Sequence, residues 1–214
     1  MLFDLDGTLI DSAPDLAGAG NEMRVARSLA PLPYEAFRPM VGSGARGMVG
    51  IALQVAPTDP GYEALKDEFL ARYQARMTRE TRVFEAMLPV LDRLEALAVP
   101  WGIVTNKASR FAEPLIRWLG LDRRAATLVC GDTMPRAKPH PDPLLEAARR
   151  IGREPAECLY VGDDLRDVQA GRAAGMGTVA AAWGYLGLGD AIEAWGADHI
   201  VRTPAELLKL KAMA

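Results

Sequence analysis

The chain has 214 residues, of which 50% are hydrophobic and 25% are charged, and its net charge is −3 at pH 7. These values are typical of a globular protein and exclude a disordered chain. The small negative charge argues against nucleic acid as the main partner. No apolar run approaches the roughly 20 residues that cross a membrane. Because Asp4 interrupts the first apolar run, we also expect no signal peptide.

The chain contains two cysteines, Cys130 and Cys158, and only two histidines. So few thiol and imidazole groups exclude a disulfide framework and argue against a zinc site. We expect both thiols to be buried and unreactive. We further expect the protein to work in the reducing cytoplasm, as a monomer or a homodimer that binds neither membranes nor nucleic acid.

From residue 83 onward, short apolar runs alternate with amphipathic stretches. The predicted strands are residues 101–105, 127–130, 158–162, 178–181 and 199–201. The predicted helices are residues 88–98, 111–119, 143–151 and 165–174, with a further helix from Pro204. This alternation is typical of an α/β protein whose parallel, Rossmann-like sheet carries helices on both faces. Strands covered on both faces are apolar throughout, as these are.

Residues 13–82 have a different pattern, with long helical stretches and no clear strand. Residues 13–30 and 62–78 have the spacing of amphipathic helices, and prolines interrupt the stretch between them. We therefore predict an all-helical cap over residues 13–82. It is inserted into an α/β core formed by residues 1–12 and 83–214.

Polar residues follow the predicted strands, at the edge of a parallel sheet where ligands bind. Several carboxylates at one edge need a counter-charge, because like charges oppose one another's ionisation. Oxygen ligands without histidine or cysteine indicate Mg²⁺ rather than zinc. A lysine and a threonine at neighbouring strand ends suit an anion with several oxygens, such as phosphate. Gly7 allows the tight turn that such a site requires.

Four motifs at these strand ends resemble, in the same order, those of the haloacid dehalogenase-like phosphatases. The motifs are Asp4–Leu9 (DLDGTL), Thr105–Asn106, Lys138–Pro139 and Gly162–Asp164. The resemblance covers essentially the whole chain, although fewer apolar residues precede Asp4 than is usual, so the first strand is expected to be short. Residues 4–12, 131–133 and 138–143 are similar to phosphoglycolate phosphatases. Residues 101–107, 162–175, 184–185 and 195–198 are more similar to N-acetylmuramic acid 6-phosphate phosphatases.

The resemblance implies two catalytic carboxylates. Asp4 is the expected nucleophile, which attacks phosphorus and forms an aspartyl-phosphate. Asp6 is the expected general acid, which protonates the leaving oxygen and afterwards acts as a base toward water. Thr105, Asn106 and Lys138 are expected to hold the phosphoryl oxygens.

The resemblance also implies a magnesium site. The expected ligands of Mg²⁺ are the Asp4 carboxylate, the main-chain carbonyl of Asp6 and the Asp163 carboxylate. Asp164 and Asp167 are expected to lie next to these ligands without binding the metal, and to orient the ligands or Lys138.

Several of these residues have simpler alternatives. Asp163 and Asp164 could cap the helix that follows them, and a cap formed by Asp164 is compatible with metal binding by Asp163. Thr105 could likewise be a helix cap, and Lys138 could be a surface residue. Arg46, in the cap, either contacts an anionic group of the substrate or is solvated.

Three other functions use similar residues. A receiver-type signalling domain carries its phosphorylated aspartate on a middle strand and lacks the helical insertion seen here. A dehalogenase on the same fold needs neither Asp6 nor the phosphate-binding residues. A phosphomutase shares the motifs of a phosphatase, so that alternative stays open. Among phosphatases, the C-terminal resemblance favours N-acetylmuramic acid 6-phosphate as substrate, with 2-phosphoglycolate as the alternative.

Overall fold

A six-stranded parallel sheet forms the centre of the computed structural model, which describes residues 1–210. In chain order the strands are β1 (Leu2–Phe3), β2 (Ile10–Asp11), β3 (Arg82–Val83), β4 (Gly102–Val104), β5 (Thr127–Val129), β6 (Leu159–Gly162), β7 (Gly177–Ala181) and β8 (His199–Val201). Six of these strands form the central sheet in the order β5-β4-β1-β6-β7-β8, and all neighbouring pairs in it are parallel. The other two, β2 and β3, pair with each other. The predicted parallel sheet is therefore confirmed. The central strand β1 is short, as expected.

One group of helices covers both faces of this sheet, and a second group occupies the chain between β2 and β3. In chain order they are α1 (Ala13–Val25), α2 (Tyr34–Phe37), α3 (Gly44–Leu53), α4 (Tyr62–Arg76), α5 (Leu88–Ala96), α6 (Ser109–Trp118), α7 (Asp142–Arg150) and α8 (Leu165–Ala173). Within residues 1–210, none of them is both long and apolar enough to cross a membrane.

Alternate residues of β1 point to opposite faces of the sheet, as the pleat of a strand requires. Phe3 packs in one apolar cluster with Leu91 of α5 and Leu115 of α6. Leu2 packs in another cluster with Leu144 of α7 and Ala170 of α8. Each large side chain buried in this way contributes roughly 1.5–3 kcal/mol of hydrophobic stabilisation. The two clusters hold β1 firmly, although it contains only two residues.

Helices α1 to α4 enclose an apolar cluster of their own. Met23 of α1, Phe37 of α2, Met48 of α3 and Phe69 of α4 are all buried within it. Phe111 of α6 also joins this cluster, so the four helices rest against the C-terminal edge of the sheet. The separate apolar core supports our proposal that residues 13–82 form a cap.

The structure differs from the predicted elements at several ends. Strands β2 and β3 form an antiparallel pair that joins residues on both sides of the predicted cap boundary. Two-residue strands show no periodicity, which is why the sequence does not predict them. Helix α1 ends at Val25, not residue 30, and Ser28 has φ +57°, which no α-helix accommodates. The Arg24 side chain donates hydrogen bonds to the carbonyls of Ala30 and Ala52 beyond this end. The helix predicted from Pro204 is a short 3-10 helix, Pro204–Lys209. The last four residues of the predicted core lie outside the described residues.

Candidate active site

Three neighbouring strands bring the predicted site residues together. Asp4 follows β1, Thr105 follows β4 and Asp163 follows β6, and β1 lies between the other two. Lys138 enters from the loop after β5. The backbone N–H of Asp4 donates to the carbonyl of Val161 at 2.9 Å, which continues the sheet pairing into the site. The sheet itself therefore sets the spacing of these side chains.

Lys138 lies at the centre of this group, with 3% of its side chain exposed. Its ammonium nitrogen is 2.8 Å from Asp4 Oδ1, 2.7 Å from Asp167 Oδ1 and 2.7 Å from the Tyr160 hydroxyl. Burial lowers the pKa of Lys138, but the charges of Asp167 and Asp4 outweigh it and raise that pKa overall. Lys138 therefore stays charged, and it is not the surface residue that the sequence left as an alternative.

Asp4, Asp163 and Asp167 place carboxylate oxygens within 4.8 Å of one another. Burial raises the pKa of Asp4 to about 7, and the charge of Lys138 opposes this rise. Burial and the charges of Asp4 and Asp167 also raise the pKa of Asp163 well above its ordinary value. One lysine therefore does not balance the three carboxylates. The missing positive charge and the oxygen donors fit a divalent cation.

Neighbouring residues pack closely around the Asp163 side chain and form hydrogen bonds with its carboxylate. Thr8 Oγ1 donates to Asp163 Oδ1 at 2.8 Å, and the backbone N–H of Tyr185 donates to Oδ2 at 2.7 Å. A Cβ atom at Gly7 would lie 2.2 Å from Asp163 Oδ2, and one at Gly184 would lie 2.1 Å from Asp163 Cβ. Gly7 also has φ +86°, which disfavours any other residue. These contacts leave Asp163 little freedom of orientation.

Asp6 is held from two sides. Ser12 Oγ donates to Asp6 Oδ1, and the Lys107 ammonium lies 2.9 and 3.0 Å from the two carboxylate oxygens. Burial lowers the pKa of Lys107, but the interactions with Asp6 and with the Tyr73 phenol together outweigh it, so the pKa is raised overall. The sequence gives Lys107 no role, although it directly follows the Thr105–Asn106 motif. That adjacency is the signal that could have identified it.

Thr105 and Asn106 are oriented differently. Thr105 is buried, lines the site and accepts a hydrogen bond at Oγ1 from the backbone of Lys107 at 3.1 Å. The Asn106 amide donates to the carbonyl of Lys138 at 2.9 Å and accepts from its N–H at 3.0 Å. The side chain of Asn106 thus braces Lys138, a contact that the expected phosphate-binding role does not include.

Asp164 and Asp167 lie at the start of α8. Asp164 is the N-cap of that helix, accepts from the backbone of Arg166 at 2.9 Å and pairs with its guanidinium. Asp167 accepts from the backbone N–H of Asp164 at 3.1 Å and holds Lys138 with its other oxygen. The structure thus gives Asp164 the capping position and puts Asp167 directly behind Lys138.

A chamber of about 280 Å³ lies between the strand ends and the helices of the 13–82 segment. From the sheet side, it is lined by Asp4, Asp6, Thr105, Lys107, Lys138 and Asp163. The 13–82 segment lines it with Leu16, Val41, Ala45, Phe69, Leu70 and Tyr73, and Phe111 of α6 lines it beside them. Arg46 is exposed and does not line this chamber, so the structure does not bring it to the other predicted residues. Arg110 and Arg166 do line it.

Comparisons with known proteins agree with this architecture. A family model described as haloacid dehalogenase-like hydrolase matches residues 1–181. The chain is 43% identical to an N-acetylmuramic acid 6-phosphate phosphatase of Pseudomonas putida, across 98% of this chain and 94% of that protein. It is 46% identical to a phosphoglycolate phosphatase of Xanthomonas campestris pv. campestris, across 97% of this chain and 93% of that protein.

A solved structure is similar over nearly the whole chain. It is described as a predicted phosphoglycolate phosphatase from Haemophilus somnus 129pt, with a TM-score of 0.85 and 27% identity. The match covers 97% of this chain and 95% of that one. The family resemblance carried by the four motifs is confirmed. This chain belongs to the haloacid dehalogenase-like hydrolases and is an enzyme of that family.

Proposed function

We propose that this enzyme is a phosphatase that hydrolyses phosphate monoesters through a covalent phosphate on Asp4, with Mg²⁺ as its cofactor. One observation supports this most directly. Asp4 lies against a buried ammonium and two further carboxylates, and Asp6 lines the same chamber. A nucleophile, a group that can transfer a proton and a site for cations are thus held within one chamber.

The first half of the reaction transfers the phosphoryl group to the protein. A carboxylate oxygen of Asp4 bonds to phosphorus while the ester P–O bond breaks. Asp6 gives its proton to the departing oxygen. Lys138 and Thr105 stabilise the charge on the transferred oxygens from the strand ends. Asp4, Asp163 and the Asp6 carbonyl would hold Mg²⁺, which supplies the charge neutralisation that lets one anion approach another.

The second half returns the protein to its starting state. Asp6 accepts a proton from water as the water oxygen bonds to phosphorus. The bond between phosphorus and Asp4 breaks, which releases inorganic phosphate and restores the Asp4 carboxylate and the protonated Asp6. Asp167 and Asn106 keep Lys138 in place during both halves, through its ammonium and its backbone respectively.

N-acetylmuramic acid 6-phosphate is the substrate that we propose. The relative from Pseudomonas putida is named for this activity, and the chamber of about 280 Å³ has room for a sugar. Such a phosphatase would serve the recycling of cell-wall sugars in the cytoplasm. The free, buried Cys130 and Cys158 are compatible with that reducing compartment. Phosphoglycolate is the alternative, favoured by the 46% identity to the relative from Xanthomonas campestris.

Phosphate release with Mg²⁺ tests this proposal. The panel is N-acetylmuramic acid 6-phosphate, 2-phosphoglycolate, glucose 6-phosphate and p-nitrophenyl phosphate. We expect kcat/KM for the amino-sugar acid to exceed the others by about 100-fold, or about 2.7 kcal/mol. The same preference for 2-phosphoglycolate would establish the alternative. No release from any of the four esters would contradict phosphatase activity.

A further inference from the structure

Tyr73 lines the chamber, and its buried hydroxyl has no hydrogen-bond acceptor among the described residues. Tyr73 is 2% exposed, and among the described residues no group forms a hydrogen bond of normal geometry with its oxygen. Lys107 lies beside it, with its ammonium 4.9 Å from the centre of the ring. Leaving a buried hydroxyl unpaired costs about 1–3 kcal/mol. Such groups are rare in folded proteins and call for an explanation.

The walls next to Tyr73 are apolar. Leu16 of α1, Phe69 and Leu70 of α4 and Phe111 of α6 line the chamber with it. The rings of Tyr73 and Phe111 are tilted against each other at a centroid distance of 5.7 Å, which fixes the tyrosine in place. Apolar and aromatic walls with one directed polar group are typical of sites that bind a ring-shaped ligand.

The Lys107 ammonium contacts Asp6 and lies 4.9 Å from the centre of the Tyr73 ring, so Tyr73 is the neighbour of Asp6 on the helical side of the chamber. A substrate that presents its ester oxygen to Asp6 therefore extends its leaving group toward Tyr73 and the apolar walls. An ammonium only donates hydrogen bonds, so Lys107 attracts the lone pairs of the hydroxyl oxygen and the O–H hydrogen points away from it. The O–H is then free to donate to an acceptor on the ligand.

We propose that Tyr73 is a specificity-determining residue, which donates a hydrogen bond to an oxygen of a phosphorylated sugar's leaving group. This inference rests on the proposed phosphatase function. A ring hydroxyl, an amide carbonyl or a carboxylate of the sugar supplies the acceptor, and the carbon faces of the sugar contact Phe69 and Leu70. A two-carbon acid leaves most of these walls uncovered.

The substitution Tyr73→Phe removes the hydroxyl alone and tests this role. The measured quantity is the ratio of kcat/KM for N-acetylmuramic acid 6-phosphate to that for phenyl phosphate. Phenyl phosphate has no polar leaving-group atom besides its ester oxygen, so the ratio isolates the hydrogen bond. We expect the ratio to fall by about 10-fold or more. A fraction of misfolded protein cancels in this ratio.

A matched control comes from the same helix. Tyr62 of α4 is also a buried tyrosine but does not line the chamber, so Tyr62→Phe is expected to leave the ratio unchanged. A ratio for Tyr73→Phe within twofold of the wild-type value would overturn the proposal. Inhibition of phenyl phosphate hydrolysis by N-acetylmuramic acid gives a second readout, and Tyr73→Phe should weaken it. Wild-type protein that hydrolyses neither ester would instead contradict the proposed function.

Discussion

The ammonium nitrogen of Lys107 lies 2.9 Å and 3.0 Å from the two carboxylate oxygens of Asp6. Only 9% of the lysine side chain is exposed, so the pair forms away from bulk water, where charge interactions are strong. Ser12 Oγ adds a hydrogen bond to Asp6 from the start of the helical segment. The proposed proton-transfer group is therefore fixed in orientation before any substrate arrives.

The substitution Lys107→Met keeps most of the unbranched side chain and removes its charge. We expect kcat to fall by about 10- to 100-fold, because a misplaced acid loses part of the effect of general acid–base catalysis. The expected change in KM for phenyl phosphate is smaller. Steady-state kinetics measures both values. Lys66→Met, at a half-buried position on α4 outside the chamber, is the matched control, and equal kcat values for the two variants would contradict the role of Lys107.

The carboxylate cluster predicts that Mg²⁺ stabilises the folded protein. A ligand that binds only the folded state at 100 times its Kd adds about 2.7 kcal/mol to the free energy of unfolding. We expect Mg²⁺ to raise the thermal midpoint of the wild type, and Asp163→Asn to abolish this rise. Asp67→Asn, at an exposed position on α4, should keep it. A full magnesium response in Asp163→Asn would show that this residue does not bind the metal. Full activity in excess EDTA would show that the reaction does not need the metal.

We expect substitution of Asp15 to lower the free energy of unfolding strongly. This fully buried carboxylate accepts hydrogen bonds from the backbone of Glu80, the backbone of Thr81 and the Thr81 hydroxyl. It thereby ties α1 to the segment that leads into β3. Asp15→Ala leaves three donors without their acceptor, so we expect a loss of about 2–4 kcal/mol in the free energy of unfolding. Urea denaturation measures it. A loss no larger than that of the exposed Glu63→Ala would disprove the bracing role.

We expect Asp198 to contribute to the free energy of unfolding in a way that depends on pH. Its Oδ2 accepts from the backbone N–H and the hydroxyl of Thr178, both at 2.8 Å, and these bonds lower its pKa. A lowered pKa in the folded state stabilises the protein above the unfolded pKa, and this contribution disappears as the pH falls through the folded value.

Asp198→Asn should therefore lower the free energy of unfolding at pH 7. The side chain is exposed, so we expect a loss of no more than about 1 kcal/mol. The difference from wild type should shrink as the pH falls below about 4. Urea titrations at both pH values measure it, with Asp122→Asn as an exposed control. A difference that stays constant with pH would show that the charge of Asp198 contributes nothing.

The parts of the fold that the sequence predicts are those that carry a strong periodic signal. Strands such as β4 and β6 are apolar because helices cover both faces, and the glycines after α6 and α7 mark their ends. Helix α3 is absent from the predictions because Gly44, Gly47 and Gly50 give it little helical propensity. Its stability comes from buried contacts such as that of Met48, which the local sequence does not reveal.

The sequence likewise predicts the position of some site residues and not of others. Asp4, Thr105 and Asp163 follow strands directly, so a prediction of the sheet already places them at one edge. Tyr73 lies on a helix far away in the chain, and its aromatic spacing with Phe69 also fits a buried apolar stripe. Only the packing of α4 over the strand ends brings it into the chamber. Arg46 shows the converse, because the sequence left a ligand contact open for it and its side chain on α3 is exposed.

The variant Asp6→Asn offers the most direct test of the covalent phosphate on Asp4. p-Nitrophenol leaves without needing a proton, so Asp6→Asn should still transfer phosphate from p-nitrophenyl phosphate to Asp4. Hydrolysis of that intermediate needs a base, so it should be slow. We predict a burst of one p-nitrophenol per enzyme, with the phosphoryl group found by mass spectrometry on the peptide that contains Asp4. The double variant Asp4→Asn, Asp6→Asn should show no burst. A burst in the double variant, or phosphate on another peptide, would contradict the account.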